Sequence, residues 1–190
     1  SPSYAKEIAT SVEGHGLEGV VRSRGEMLGI LDGVDYAVWN PATDPHLVAR
    51  YNAEDVFARE RCRADLLGRV GLLGHTSAPV LGYVGRFDSA KGADVLLAAA
   101  PKLLRSDLQL VLLGEGEGPI ADGLADLAKR FPDRVSLRRG FDDVLAHRIF
   151  AGCDFFLSPS RFEPSGLAAM YAMRYGAVPI ARATGGINDT

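Results

Sequence analysis

Residues 80–114 read VLGYVGRFDSAKGADVLLAAAPKLLRSDLQLVLLG. Val80 to Val84 is a short apolar run, and a turn bearing Gly85 and Gly92 closes it. A helix follows, with Leu96, Leu97, Ala100, Leu103 and Leu104 on one face at helical spacing. Pro101 falls inside that helix and is expected to kink it or to mark a fresh first turn. Leu108 to Leu113 is a second run that is apolar throughout. Strands apolar on both faces, alternating with helices of about ten residues, are parallel strands covered by helices.

The same beat continues to the end of the chain. Ile120, Leu124, Leu127, Ala128 and Phe131 stripe a second helix, with Pro119 at its first position. Val135 to Leu137 is a third strand, and Val144 to Ala151 a short helix. Phe155 to Ser158 is a fourth strand, Gly166 to Tyr175 a helix, and Val178 to Ala181 a fifth strand. Right-handed crossovers make this a doubly wound, Rossmann-like α/β sheet of about five strands. Residues 1–77 are less regular. Turns are expected at Asp32-Gly33, Asn40-Pro41 and Asp44-Pro45, a short strand at Leu28 to Leu31, and a helix over 54–69 anchored by Val56, Phe57, Leu66 and Leu67. Residues 68–79 read as a loop or linker.

Composition bounds the function. The chain has 190 residues, 47% hydrophobic and 24% charged, which is ordinary for a globular protein. Its 21 basic and 24 acidic residues are dispersed, giving a net charge of −3, so a concentrated nucleic-acid-binding face is excluded. No apolar run reaches the roughly 20 residues of a membrane span. Two cysteines, Cys62 and Cys153, have no metal-ligand spacing and suit a reducing compartment. A cytoplasmic protein is expected. Both chain ends look cut, since there is no initial Met and the last residues follow a glycine turn.

In doubly wound sheets ligands bind beyond the carboxyl ends of the strands, so the strand-following loops carry the chemistry. The loop Gly85 to Gly92 holds two cations, Arg86 and Lys91, ahead of a helix N-terminus. Free amides, an arginine fork and a lysine point charge suit a diphosphate, although two solvated cations would read the same. The loop Gly114 to Gly118 mimics a dinucleotide fingerprint. However, Pro119 replaces the third glycine, and Glu115 and Glu117 would repel a pyrophosphate. An NADP-type reading therefore rests only on Arg138-Arg139. Phe141, after strand three, is either core or a stacking ring. In Ser158 to Leu167, Glu163 precedes a fresh helix start whose amides at Gly166, Leu167 and Ala168 favour an anion. Glu163 is then a ligand for sugar hydroxyls, or a structural partner of Arg161 or Arg86. The loop Ala183 to Ile187 adds the flexible amides of Gly185 and Gly186. His147 reads as a packing or capping residue rather than a base, and Arg174 and Arg182 as surface groups or sources of positive potential. No acidic cluster suggests a metal, and no cofactor is expected.

As an ordered set these segments resemble the bacterial-type glycogen/starch synthases, retaining transferases of the two-Rossmann-domain B type. The matching stretches are GVDYAVWNPATD (33–44), GRFDSAKG (85–92), LAHRIFAGCDFFLSPSRFEPSGL (145–167) and YAMRYGAVPIARATGG (171–186). SPSYAKEI (1–8) resembles the segment closing the family's first domain. The resemblance implies that 1–77 is the end of that domain, a linker and a lead-in helix. Residues 78–190 would then be the sugar-nucleotide domain, truncated at its C-terminus. It implies that Arg86, Lys91 and Glu163 are the catalytic set, with the two cations on the donor diphosphate and Glu163 on the transferred glucose. Gly85, Phe141, Gly166, Leu167, Ala168, Thr184, Gly185 and Gly186 would bind the donor, with Phe141 stacking on its base. Tyr171 stands where related hexosyltransferases often carry a second glutamate and these synthases carry tyrosine. The chain departs from the family at Asp32, Ser165, Ala168 and Ala169. The implied donor is ADP-glucose (or UDP-glucose), and the implied acceptor an α-glucan. The catalytic histidine and a glycine-rich loop would lie in a domain absent here, so the chain alone is expected to be inactive. A non-catalytic nucleotide- or carbohydrate-binding domain and another retaining hexosyltransferase are the alternatives.

Overall fold

The computed structural model describes every residue except Ser11 and Thr76. Five strands form one parallel sheet: β1 (Val80–Val84), β2 (Gln109–Gly114), β3 (Val135–Arg139), β4 (Phe155–Ser158) and β5 (Val178–Ala181), in the order β3-β2-β1-β4-β5. The helices are α1 (Pro2–Glu7), α2 (Glu18–Ser23), α3 (Arg59–Val70), α4 (Ala93–Leu103), α5 (Pro119–Arg130), α6 (Asp143–Gly152) and α7 (Leu167–Arg174), and a 3-10 turn spans Gly185–Asp189.

Every residue of β2 is buried, because both faces of the sheet are covered. Leu81, Tyr83, Leu110 and Leu112 pack with Leu96, Ala100, Leu124 and Leu127 of α4 and α5. Val80, Val111 and Leu113 turn the other way, toward Cys62, Leu66 and Leu67 of α3 and Ile149 and Phe150 of α6. The period-two alternation of the strands thus feeds two separate cores. Ala49 and Tyr51 also join the second core, and the Tyr51 hydroxyl donates to the Tyr175 carbonyl at 2.8 Å. Segments far upstream of β1 are therefore part of this packing unit.

The strand order places the topological switch between β1 and β4. The chain leaves β1 toward β2 on one side and returns beside β1 as β4. The loops after β1 and β4 consequently flank one crevice at the carboxyl edge.

Several details differ from the sequence reading. Leu28 and Ile30 are 83% and 75% exposed and belong to no strand, because no strand among the described residues pairs them. The helix expected over 54–69 begins at Arg59 instead. Asn52 Oδ1 accepts from the amides of Glu54 and Asp55, and this local turn holds Val56 and Phe57 outside the helix and exposed. α4 runs through Pro101 without starting afresh, and the Leu104 amide still donates to the Ala100 carbonyl at 2.9 Å. Pro119 does open α5.

Both thiols are free and enclosed. Burial pushes the Cys153 thiol up to about 12, and burial likewise raises Cys62. Neither supplies thiolate near neutral pH. Iodoacetamide at pH 8 is therefore expected to leave the folded chain unlabelled and to add two carbamidomethyl groups in guanidinium. Rapid labelling of native protein, read by intact mass, would contradict this packing.

Candidate functional site

The crevice at the switch is built by stitching two loops together. The Ala90 carbonyl accepts from the amides of Arg161 and Phe162, at 2.9 and 3.2 Å. Arg161 reaches back across the crevice, donating to the Ser89 carbonyl at 2.7 Å and forming a two-pronged pair with Asp94 at 2.6 and 2.8 Å. The Arg161 guanidinium holds the Asp94 carboxyl below its usual range. Because that pKa is lowered on folding, the clamp is complete at neutral pH and is lost as pH falls through the lowered value. Gly92 lies where the loops press closest. Its φ is +69°, and a β-carbon there would sit 2.1 Å from the Pro159 carbonyl oxygen.

This stitching brings Lys91 and Glu163 into contact. Lys91 Nζ donates to Glu163 Oε2 at 2.6 Å, with the two side chains only 28% and 12% exposed. Glu163 Oε2 also accepts from Ser160 Oγ at 3.1 Å, and Oε1 lies 3.4 Å from the Gly166 amide. The carboxylate is thus held by a cation, a hydroxyl and a helix start. The sequence offered Arg161 or Arg86 as its ionic partner. In the structure Arg161 is committed to Asp94, and Arg86 pairs with Asp88 at 3.2 Å. A cavity of about 320 Å³ opens beside the pair, walled by Tyr83, Gly85, Ser165, Leu167, Ala168 and Tyr171.

Two helices begin at this crevice with no side-chain cap: α4 after Gly92 and α7 after Gly166. The first amide of α4 donates to the Asp88 carbonyl at 3.0 Å, while the start of α7 leaves positive partial charge at the site, which together with Lys91 favours an anion. A second hollow of about 230 Å³ continues past Val84 and Gly85 to Arg86, Gly140 and Phe141. Phe141 is 84% exposed, so the core reading of this ring is overturned. It stands at the rim of this hollow with a free face.

Thr184, Gly185 and Gly186 are buried beside the Glu163 backbone rather than along the cavity wall. The Gly186 amide donates to the Glu163 carbonyl at 2.8 Å, and the Gly185 amide donates to Glu7 Oε1 at 2.8 Å. Their N–H groups are already engaged. α1 is tied to the same turn through Ser3, whose amide and hydroxyl donate to the Asp189 carboxylate at 2.8 and 2.7 Å. A larger hollow of about 750 Å³, between the end of α7 and the Asn52–Arg59 segment, includes Arg174 but none of the predicted catalytic or donor-binding residues.

Sequence reasoning missed the support behind Tyr171. Trp39 lies between His147 and Tyr171, stacked on both, with ring centroids 4.0 and 4.1 Å apart. His147 is buried, with Nδ1 2.6 Å from Asp44 Oδ2. The sequence signal was the run of aromatic and carboxylate residues in 33–44, but nothing local says which helix they face. Among the described residues no helix is long and apolar enough to cross a membrane.

Comparison with known proteins gives consistent matches. The profile of the family described as "Glycosyl transferases group 1" matches residues 78–190. The chain is 50% identical to a glycogen synthase of Alkalilimnicola ehrlichii and 50% identical to one of Myxococcus xanthus, in each case over all of this chain and 40% of the relative. It therefore spans about two fifths of the length of these curated relatives. Among solved structures, the catalytic domain of starch synthase IV from Arabidopsis thaliana, bound to ADP and acarbose, superposes with a TM-score of 0.92. That domain is 40% identical, and the match covers 100% of this chain and 39% of that one.

Proposed function

Since the chain belongs to the group 1 glycosyl transferases, within their glycogen and starch synthase branch, we propose that it carries the donor site of a retaining glucosyltransferase that extends an α-1,4-glucan from ADP-glucose. The observation that carries this reading is the convergence of Lys91, Glu163 and the uncapped starts of α4 and α7 at one switch-point crevice. The diphosphate takes the cationic, amide-rich side, with Arg86 and Lys91. The glucose lies in the 320 Å³ cavity with Glu163 on its hydroxyls, and the base reaches the hollow under Phe141. Gly185 and Gly186 act by holding the Glu163 backbone in place. ADP in the starch synthase complex favours adenine over uracil.

In the reaction the bond from glucose C1 to the diphosphate oxygen breaks, and a new bond forms from the acceptor 4-oxygen to C1 on the same face. The acceptor proton passes to the departing diphosphate. Negative charge grows on that group, and fixed cations and amides stabilise it more in the transition state than in the ground state. No carboxylate of this site is positioned as a nucleophile in the proposal, because Glu163 is held by Lys91, Ser160 and Gly166. We place residues 1–77 as the close of a preceding domain with linker and lead-in helix, and 78–190 as the donor domain. Transfer is expected only when the rest of the relatives' length is joined to it. The two free thiols favour a reducing, cytoplasmic setting.

Calorimetry with ADP, UDP and their glucose conjugates tests the donor site. ADP is expected to bind more tightly than UDP, and Arg86→Ala to weaken it by about tenfold or more, the scale of a charge-assisted contact of about 1.5–3 kcal/mol. Unchanged ADP affinity in that variant would remove Arg86 from the phosphate site. Tighter UDP binding would redirect the donor assignment.

A further inference from the structure

We propose that His46, Asp143 and His147 form a binding site for a divalent transition-metal cation, with zinc best suited to the donor set, apart from the donor crevice. The nitrogen and carboxylate donors of the three residues all lie within 4.8 Å of one another. Asp143 and His147 are one turn apart on α6, with His147 Nε2 3.9 Å from Asp143 Oδ2. The His46 ring approaches from the upstream segment, with its centroid 4.8 Å from that of His147.

The state of His147 points to a ligand. Its side chain is 1% exposed, and Nε2 has no hydrogen-bond partner among the described residues. A buried ring nitrogen without a partner is unusual, because it forfeits its hydration for nothing. The other nitrogen is tightly managed. Asp44 Oδ2 accepts from Nδ1 at 2.6 Å, and the Tyr175 hydroxyl donates to the same oxygen at 2.5 Å. With the proton on Nδ1, the lone pair of a neutral imidazole lies on Nε2 and faces His46 and Asp143. A carboxylate on the far nitrogen is how metal-ligating histidines are usually oriented and made more basic.

Two imidazoles and one carboxylate, with a position left for water, match zinc's preference for nitrogen and oxygen ligands at about 2.0–2.1 Å. Tetrahedral ligation at that bond length sets donors about 3.4 Å apart, so the cluster must tighten. Asp143 is exposed and His46 is half-buried, so both can swing in while His147 stays fixed. The nearby Arg148 donates to the His46 carbonyl at 3.2 Å and lies 3.5 Å from Asp65, a carboxylate it shares with Arg69. The buried thiols of Cys62 and Cys153 do not compete.

The protein carries its own reporter. Its one tryptophan, Trp39, stacks on His147 at 4.0 Å, so a paramagnetic ion on Nε2 quenches its emission. Titration of tag-free, chelator-treated chain with Co²⁺ is expected to give saturable quenching, one equivalent by equilibrium dialysis, and full reversal by Zn²⁺. His46→Ala and Asp143→Asn change accessible side chains and are expected to weaken the site by at least about tenfold. His75→Ala, at the exposed His75–Asp107 pair, is expected to change nothing. Absence of saturable quenching, its persistence in His46→Ala or Asp143→Asn, or its loss in His75→Ala would each overturn the proposal.

Discussion

Lys91→Ala is expected to lower turnover of the proposed full-length transferase by about 10²–10³, the cost of deleting one preorganised donor to a developing oxyanion. On the chain itself the same change is expected to weaken ADP binding by more than about tenfold. The resting structure adds a feature that a simple phosphate contact would lack. Lys91 Nζ is already bound to Glu163 at 2.6 Å, so in the proposed donor site an incoming diphosphate would compete with that carboxylate for the ammonium. Glu163→Gln keeps a hydrogen-bond acceptor for Ser160 but releases the cation. It is expected to bind free ADP at least as well as wild type while losing the extra affinity that the glucose of ADP-glucose supplies. Lys91→Ala should lose both ligands together. Calorimetry of the two variants with ADP and ADP-glucose separates these patterns, and wild-type ADP affinity in Lys91→Ala would remove the lysine from the diphosphate. The alanine variant should also melt lower, because Glu163 is left mostly buried without its counter-charge. The pair is partly solvated, so the loss stays below the roughly 3–5 kcal/mol of a fully enclosed pair.

The sheet was legible because its information is local. Runs such as Leu110 to Leu113 are buried on both faces, and that double burial is written directly as an unbroken apolar string. The crevice that holds the candidate site was legible as far as its loops, since the topology rule says where strand-following loops meet once the order of strands is known. Partner choice was not. The sequence offered Arg161 or Arg86 for Glu163, and only the close approach of two loops decides that Lys91 takes it while Arg161 turns to Asp94. The stack of His147, Trp39 and Tyr171 was hidden for the same reason, because its members come from three segments joined only by tertiary packing. The misread strand at Leu28 to Leu31 shows the converse. An apolar string predicts a strand only if a neighbour exists to accept its hydrogen bonds, and none among the described residues pairs with it.

That dependence on loop approach can be tested at one atom. Gly92 and Gly71 share nearly the same left-handed backbone, with φ, ψ of 69°, 21° and 77°, 21°. An alanine at either position incurs the same conformational strain, about 1–3 kcal/mol. Their surroundings differ. At Gly71 nothing among the described residues lies within 4 Å of an added β-carbon, whereas at Gly92 the Pro159 carbonyl oxygen is 2.1 Å away and its carbon 2.6 Å. These are backbone atoms, so relief requires the loop after β1 to separate from the loop after β4. Gly92→Ala is therefore expected to cost about 1–3 kcal/mol more than Gly71→Ala, the usual range for overpacking. It should also displace Lys91, the preceding residue, from Glu163 and weaken ADP binding by about tenfold or more, whereas Gly71→Ala should bind ADP like the wild type. Denaturant melts give the stability difference and calorimetry the affinities. Equal affinity for ADP in the two variants would mean that the contact between the loops does not set the donor site, and the convergence of Lys91 with Glu163 would then need another cause.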